Sequence, residues 1–242
     1  MTTTKIATST PEDIFVRGKS LTKDLIGKVT FTEMTFFQIT GAMPTRAQTA
    51  VVDACLVALM EHGLTPSVIA TRLVASSAPE AMQGAVAAGL LGVGSVFVGT
   101  VEGCAALLAR IVAGEDVAGI VAEHRGKRVP GFGHPLHKPD DPRPAAIFAV
   151  ADAHGVSGAH VAALRALGAA IDASSGKHLT INATGAVAAA LADCGIPSSI
   201  MRGFALLSRC AGLVGHIHEE QRDPAMRAMW EATERAVPFA GE

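Results

Sequence analysis

The chain has no tyrosine, one tryptophan and nine phenylalanines, so aromatic residues make up 4% of its 242 positions. Large rings therefore cannot organise the core, and helices must pack closely through small side chains. Cysteine is scarce as well. Cys55, Cys104, Cys194 and Cys210 lie far apart, with no CxxC pair and no zinc-finger spacing to a histidine. This excludes a disulfide framework and predicts reduced, mostly buried thiols. Excess charge of either sign is missing too. A net charge of −2 gives no global electrostatic basis for binding nucleic acid or an anionic membrane. The N-terminal MTTTKIATSTPEDIF has no apolar core behind a basic start, so no secretory leader is expected and a cytoplasmic location follows. The longest uncharged run, Ala81 to Val101, is broken by Gln83 and five glycines and has no cationic flank. It predicts a buried helix ended by a glycine turn, not a membrane span.

What is present is helical punctuation. Thr45 predicts the N-cap of a helix to His62, with Val51, Cys55, Ala58 and Leu59 at helical spacing and Gly63 as its stop. Thr65 with Pro66 opens the next, and Pro79 is read as opening another. Further helices are predicted from Thr100, Asp116 and Pro144, then over 157–174, 184–194, 197–219 and 224–235. Residues 12–40 differ, mixing β-branched and aromatic residues with turn signals at Gly18 and Gly27, and predict a small hairpin. The fold class expected is therefore all-α with a small N-terminal β-hairpin.

One segment cannot be helical. Residues 129–143, VPGFGHPLHKPDDPR, hold four prolines, two glycines and two histidines. Proline lacks an N–H and fixes its own φ, so an ordered loop that presents side chains is predicted. Arg125, Lys127, Arg128, Lys138 and Arg143 make the neighbourhood locally cationic. Arginine matches carboxylate or phosphate, and Gly131 and Gly133 allow a ligand close to the backbone.

GFGHPLHKPDDPR resembles the GxGH...DPR signature of the citrate synthase family. EHGLTPSVIATRLVASS at 61–77, VFVGTVEG at 96–103 and FALLSRCAGLVGHIHEEQ at 204–221 resemble further family segments in the correct order. The resemblance spans about residues 40–225 and implies roles for particular residues. His134 and His62 fall on substrate-binding histidines suited to proton transfer, and Arg143 and Arg209 on carboxylate-binding arginines. Val129, Pro130, Gly131, Phe132, Gly133 and Lys138 fall on the coenzyme A side. Phe97 stands where citrate synthases carry a histidine, as in the citryl-CoA-cleaving module of ATP-citrate lyases. Asn182 keeps its place, but Thr184 replaces the catalytic aspartate, and a hydroxyl is no carboxylate base near neutral pH. Thr184 is left to position water or to hydrogen-bond an enolate. His124, His137, His154, His160 and His178 are read as surface or loop residues, and His216 and His218 as structural or interfacial.

The resemblance implies a large domain from 1–98 and 197–242 and a small domain from 99–196 that closes over the ligand. It implies a homodimer and a metal-free enzyme with no permanently bound cofactor, whose substrate is a coenzyme A thioester carrying carboxylic acids. The activity implied is a citryl-CoA lyase-type carbon–carbon cleavage. The alternatives are a condensing enzyme or lyase of changed substrate, and a silent CoA-binding paralogue.

Overall fold

The computed structural model describes residues 2–241 and is mostly helical. Strands β1 (Ala7–Ser9), β2 (Ile14–Val16) and β3 (Lys19–Ser20) form an antiparallel sheet in that order. Arg17 and Gly18, at φ 45° and 81°, make the two-residue turn that pairs Val16 with Lys19. A π-helical turn follows over Leu21–Leu25.

Strand character ends there, which narrows the expected hairpin region. Phe31–Thr40 is helix α1, although its residues favour strands. Thr30 and Glu33 form a reciprocal capping box, and Phe36 and Phe37 are buried on adjoining clusters, so capping and packing override propensity.

Helices α2 (Arg46–Met60), α3 (Pro66–Ser77), α4 (Met82–Leu91), α5 (Val101–Val112) and α6 (Val117–Glu123) precede the proline-rich loop. Helices α7 (Pro142–Ala153), α8 (Ala159–Ser175), α9 (Ala183–Asp193), α10 (Met201–Arg222) and α11 (Met226–Ala236) follow it. Two predicted starts move. Pro79 lies in a turn before α4, and α7 begins at Pro142 because Asp141, not a residue near Pro144, caps it.

Helix α9 is the axis of the core. Its alanine-rich sequence is buried on nearly all sides, as in a helix surrounded by others, and it packs against α2, α5, α7 and α8. The main hydrophobic cluster joins Val51–Leu59, Val101–Cys194 and Met201–Ala205, so one core crosses both expected domain boundaries. Helix α4 crosses α3 and α10 at Gly89, where an added Cβ would lie 2.0 Å from Thr71 Oγ1. Among the described residues, no helix is long and apolar enough to cross a membrane. All four cysteines are free, and burial pushes the Cys104 and Cys194 thiols up to about 12, leaving them unreactive at neutral pH.

Candidate active site

Two turns bring the candidate residues together. The first follows α2. Glu61 accepts hydrogen bonds from the backbone N–H groups of His62 and Gly63, both at 2.8 Å, and from His216 Nε2 at 2.9 Å. His216 Nδ1 lies 3.2 Å from Arg72, a donor, so its proton sits on Nε2. Arg72 is itself buried and paired with Glu220. Burial works against the Glu61 carboxylate, but these hydrogen bonds hold its pKa below the ordinary value. A chain of polar contacts from α3 and α10 thus fixes the turn that carries His62. His216 is structural, and His218 is exposed.

The second turn is the proline-rich loop. Gly133 N donates to Thr180 O, Asn182 N to Gly131 O, and Asn182 Nδ2 to Gly133 O, fastening residues 131–133 along 180–182. Gly131 needs its missing Cβ for packing, since one would lie 2.5 Å from Cys104 Sγ and 3.0 Å from Gly185 Cα. After His134, the amides of Leu136 and His137 return onto its Nδ1 at 3.1 and 3.0 Å. A ring nitrogen that accepts two N–H donors has no proton, so the neutral ring carries its proton on Nε2. Burial, then His137 and Arg143, lower the His134 pKa and keep the ring neutral at pH 7.

His62, His134 and His137 come together here from the two turns. Ring centroids are 5.1 Å apart for His62 and His134, 5.3 Å for His62 and His137, and 4.4 Å for His134 and His137. His62 Nε2 and His137 Nε2 are 3.3 Å apart, a hydrogen-bonded pair. His137, expected to be a surface or loop residue, lies in the loop and is half-buried inside the cluster. One nitrogen from each of the three rings falls within 4.8 Å of the others, the only such metal-capable group among the described residues. His134 Nδ1 is filled by two amide donors and Nε2 carries the proton, so the three rings do not present three lone pairs to a cation.

The arginines differ from each other. Arg143 is held by Asp141 through Nε at 2.9 Å and Nη2 at 2.7 Å, while Asp141 also caps α7 and accepts Ala183 N. Arg143 therefore presents only its outer edge. Arg209, on α10, is 3% exposed and makes no hydrogen bond to protein among the described residues, with Nε and Nη1 fully buried. Burial lowers its pKa, the charge of Glu61 opposes this, and Arg143 adds to it. A buried guanidinium in this condition suits a carboxylate brought by a ligand.

Thr184 is committed elsewhere. Its hydroxyl lies 2.7 Å from Asn182 Oδ1, which can only accept, and 2.7 Å from Thr100 Oγ1. Thr184 thus donates to Asn182 and accepts from Thr100. Asn182 Oδ1 also caps α9 through Gly185 N. Both residues brace the loop against α9 and α5, and Thr184 has no proton left for an enolate.

The remaining positions are spread around this centre. Phe97 is 39% exposed in a turn closed by its own hydrogen bonds to Gly94, beside Val98 at φ 63°, an unusual conformation for a β-branched residue. Phe132 is buried in the core, and Val129 packs against it. Pro130 backs onto Gly103. Lys138, Arg125, Lys127 and Arg128 are exposed and have no ion pair among the described residues. The open clefts beside α2, about 680 and 420 Å³, contain neither the histidine cluster nor Arg209.

Comparison with known proteins places this arrangement. The chain is similar to citryl-CoA lyase from Hydrogenobacter thermophilus, with a TM-score of 0.90, 30% identity, and coverage of 100% of this chain and 95% of that one. An ATP citrate lyase from Methanosaeta concilii, solved with (3S)-citryl-CoA, gives a TM-score of 0.81 at 20% identity, covering 100% of this chain and 42% of that one. A citrate synthase from Thermoplasma acidophilum, solved with carboxymethyl coenzyme A and oxaloacetate, gives 0.67 at 21% identity, covering 80% and 54%. These last two likenesses concern the fold. Curated relatives from Mycobacterium tuberculosis and Mycobacterium bovis, provisionally named citrate synthase 2, are 27% identical over 181 residues, 71% of this chain. The chain spans about half the length of those relatives, 47%. The family description "Citrate synthase, C-terminal domain" matches residues 28–229, a stretch that includes both turns, both arginines and Thr184. With the match running unbroken through all of them, the chain belongs to the citrate synthase family.

Proposed function

We propose that the protein is a coenzyme A-dependent carbon–carbon lyase that splits citryl-CoA, or a closely related 3-hydroxyacyl-CoA, into an acyl-CoA and a 2-oxo acid. The observation that carries this reading is Arg209, a buried cation without a protein partner among the described residues, near enough to Arg143 and to Glu61, the neighbour of His62, for their charges to act on it. Such a constellation suits a small polycarboxylate whose oxygen is to be hydrogen-bonded. The family neighbour that is 30% identical over the whole chain is a citryl-CoA lyase, which favours cleavage.

In this reading Arg209 binds a carboxylate and the outer edge of Arg143 a second one. His134, neutral with its proton on Nε2, donates to the oxygen on the carbon being released as a carbonyl. That role replaces the expected one of taking the hydroxyl proton, because two backbone amides already occupy Nδ1. Coenzyme A lies along the 129–133 loop, with Arg125, Lys127, Arg128 and Lys138 available to its phosphates. Segment 99–196, although it shares the hydrophobic core of the rest of the chain, is the part that closes over it and excludes water from the enolate. The active form is a homodimer, consistent with Leu91 at 87%, Val214 at 44% and Leu207 at 41% exposure on α4 and α10.

A silent CoA-binding paralogue is the second reading, favoured by Thr184, whose hydroxyl is locked to Asn182 where the family carries a carboxylate. Turnover separates the two. Purified protein supplied with citryl-CoA is expected to release acetyl-CoA and oxaloacetate in equal amounts, followed through NADH oxidation by malate dehydrogenase. Coenzyme A binding without release of either product, across a panel of 3-hydroxyacyl-CoAs, would establish the silent reading.

A further inference from the structure

Cleavage of citryl-CoA moves one proton from a hydroxyl to a carbon. The hydroxyl proton must leave as the carbon–carbon bond breaks, and the acetyl-CoA enolate must gain a proton at its terminal carbon. In this chain the position of the family carboxylate is a threonine whose own proton is already donated. His134 holds its proton on Nε2 and has no free lone pair. The groups left at the centre are His62 and His137.

Their arrangement is that of a proton wire. The Nε2 atoms face each other at 3.3 Å, so a single proton is shared between them. The rings meet edge to face at 67°. Neither Nδ1 has a hydrogen-bond partner among the described residues, so each outer nitrogen is open. Each turn is also fixed independently, His62 by the hydrogen bond its N–H donates to Glu61 and His137 by the hydrogen bond its N–H donates to His134 Nδ1.

We propose that His62 and His137 form a two-imidazole relay that carries the hydroxyl proton to the enolate carbon, so that His137 is a catalytic residue of this chain. This rests on the lyase reading above. His62 begins with its proton on Nε2, donated to His137 Nε2, and His137 begins with its proton on Nδ1. The substrate hydroxyl gives its proton to His62 Nδ1 as the carbon–carbon electron pair moves into the enolate and the oxygen becomes a carbonyl. The proton on His62 Nε2 passes to His137 Nε2, and His137 Nδ1 gives its proton to the enolate carbon. Both rings end neutral with their tautomers exchanged, and no oxidant, reductant or metal is consumed. Run backwards, the same wire takes a methyl proton from acetyl-CoA.

The test uses that reverse step. The intact protein, with acetyl-CoA and oxaloacetate in deuterated water, is expected to exchange the acetyl methyl protons, read by NMR or mass spectrometry. His137→Ala is expected to lose exchange and citryl-CoA cleavage together by about a hundredfold, within the range for removal of a general acid–base group. Added imidazole is expected to restore both in His137→Ala without accelerating wild type, a rescue that a purely structural residue would not show. His137→Gln, which keeps a polar side chain of similar reach, guards against misfolding and is expected to be equally slow. Variants that fold and exchange at the wild-type rate would overturn the relay alone. Slow variants that imidazole does not rescue would also overturn it, reducing His137 to a support for the loop. A wild type that neither cleaves citryl-CoA nor exchanges would overturn the lyase reading and the relay with it.

Discussion

Replacing Arg209 with methionine is expected to stabilise the ligand-free protein while weakening its affinity for a polycarboxylate. Its guanidinium is 3% exposed, with Nε and Nη1 buried and without protein acceptors among the described residues. A buried donor left unsatisfied costs about 1–3 kcal/mol. An uncompensated buried charge costs about 3–5 kcal/mol. The charge of Glu61 offsets part of this, so the net gain for Arg209→Met is set at about 2 kcal/mol, or a rise in Tm of about 4–8 °C for a chain of this size. In wild type, oxaloacetate or citrate at a hundred times its Kd should add about 2.7 kcal/mol of stability. Loss of a hydrogen bond to a charged group weakens binding by about 1.5–3 kcal/mol, so at the same concentration the variant should keep less than half of that shift. Thermal unfolding with and without ligand, supported by calorimetry, measures both quantities. A variant less stable than wild type that keeps the full ligand shift would refute the reasoning and make Arg209 a structural cation.

Two further outcomes follow from packing and titration. Gly89→Ala should cost about 1–3 kcal/mol in urea unfolding, because its Cβ would meet Thr71 Oγ1 at 2.0 Å and Ser67 O at 2.7 Å where α4 crosses α3, and unchanged stability would contradict that crossing. The His134 pKa is lowered in the folded chain, so the unfolded chain binds the proton first, and stability attributable to this ring falls as pH drops below its ordinary 6.5 toward the folded value. His178, whose pKa is raised by Asp172 and then Asp140, acts with the opposite sign, its contribution fading as pH rises through its folded value. Urea unfolding of wild type and His134→Asn at pH 7 and pH 5.5 isolates the first effect. A steeper loss in acid for the variant would contradict it.

The helical body was legible because its signals are local. Thr45 caps α2 with a capping box, Asp116 caps α6, and Pro66 opens α3, each determined by residues within one turn. The loop at 129–143 was legible for the same reason, since proline acts on its own and the preceding residue. Helix α1 was misread because its β-branched and aromatic residues outvote a capping box whose strength lies in two hydrogen bonds rather than in composition. Pro79 and Pro144 were misread as helix starts because proline marks a change of direction without saying which neighbour supplies the cap.

The site divided along the same line. The family resemblance points to His134, Arg143, Asn182 and Thr184, but not to what each one touches. That Asp141 occupies Arg143 through two hydrogen bonds, and that Asn182 takes the Thr184 proton, depends on rotamers and not on spacing. His137 reads from the sequence only as a surface or loop residue because its partner His62 is 75 residues away and nothing local marks the pair. A clue was nonetheless present. A second histidine three residues after the signature histidine, on a loop that prolines hold out of helix, shares its turn, and here it stacks on it at 4.4 Å.

The central claim is that Arg209 and the two histidine-bearing turns form one substrate site. A crystal structure of the protein with citrate and coenzyme A tests it most directly. A citrate carboxylate is expected within about 3 Å of the Arg209 guanidinium, a charge-assisted hydrogen-bond distance, with a citrate oxygen facing His134 Nε2. Citrate bound in the clefts beside α2, with Arg209 still without a carboxylate, would contradict it.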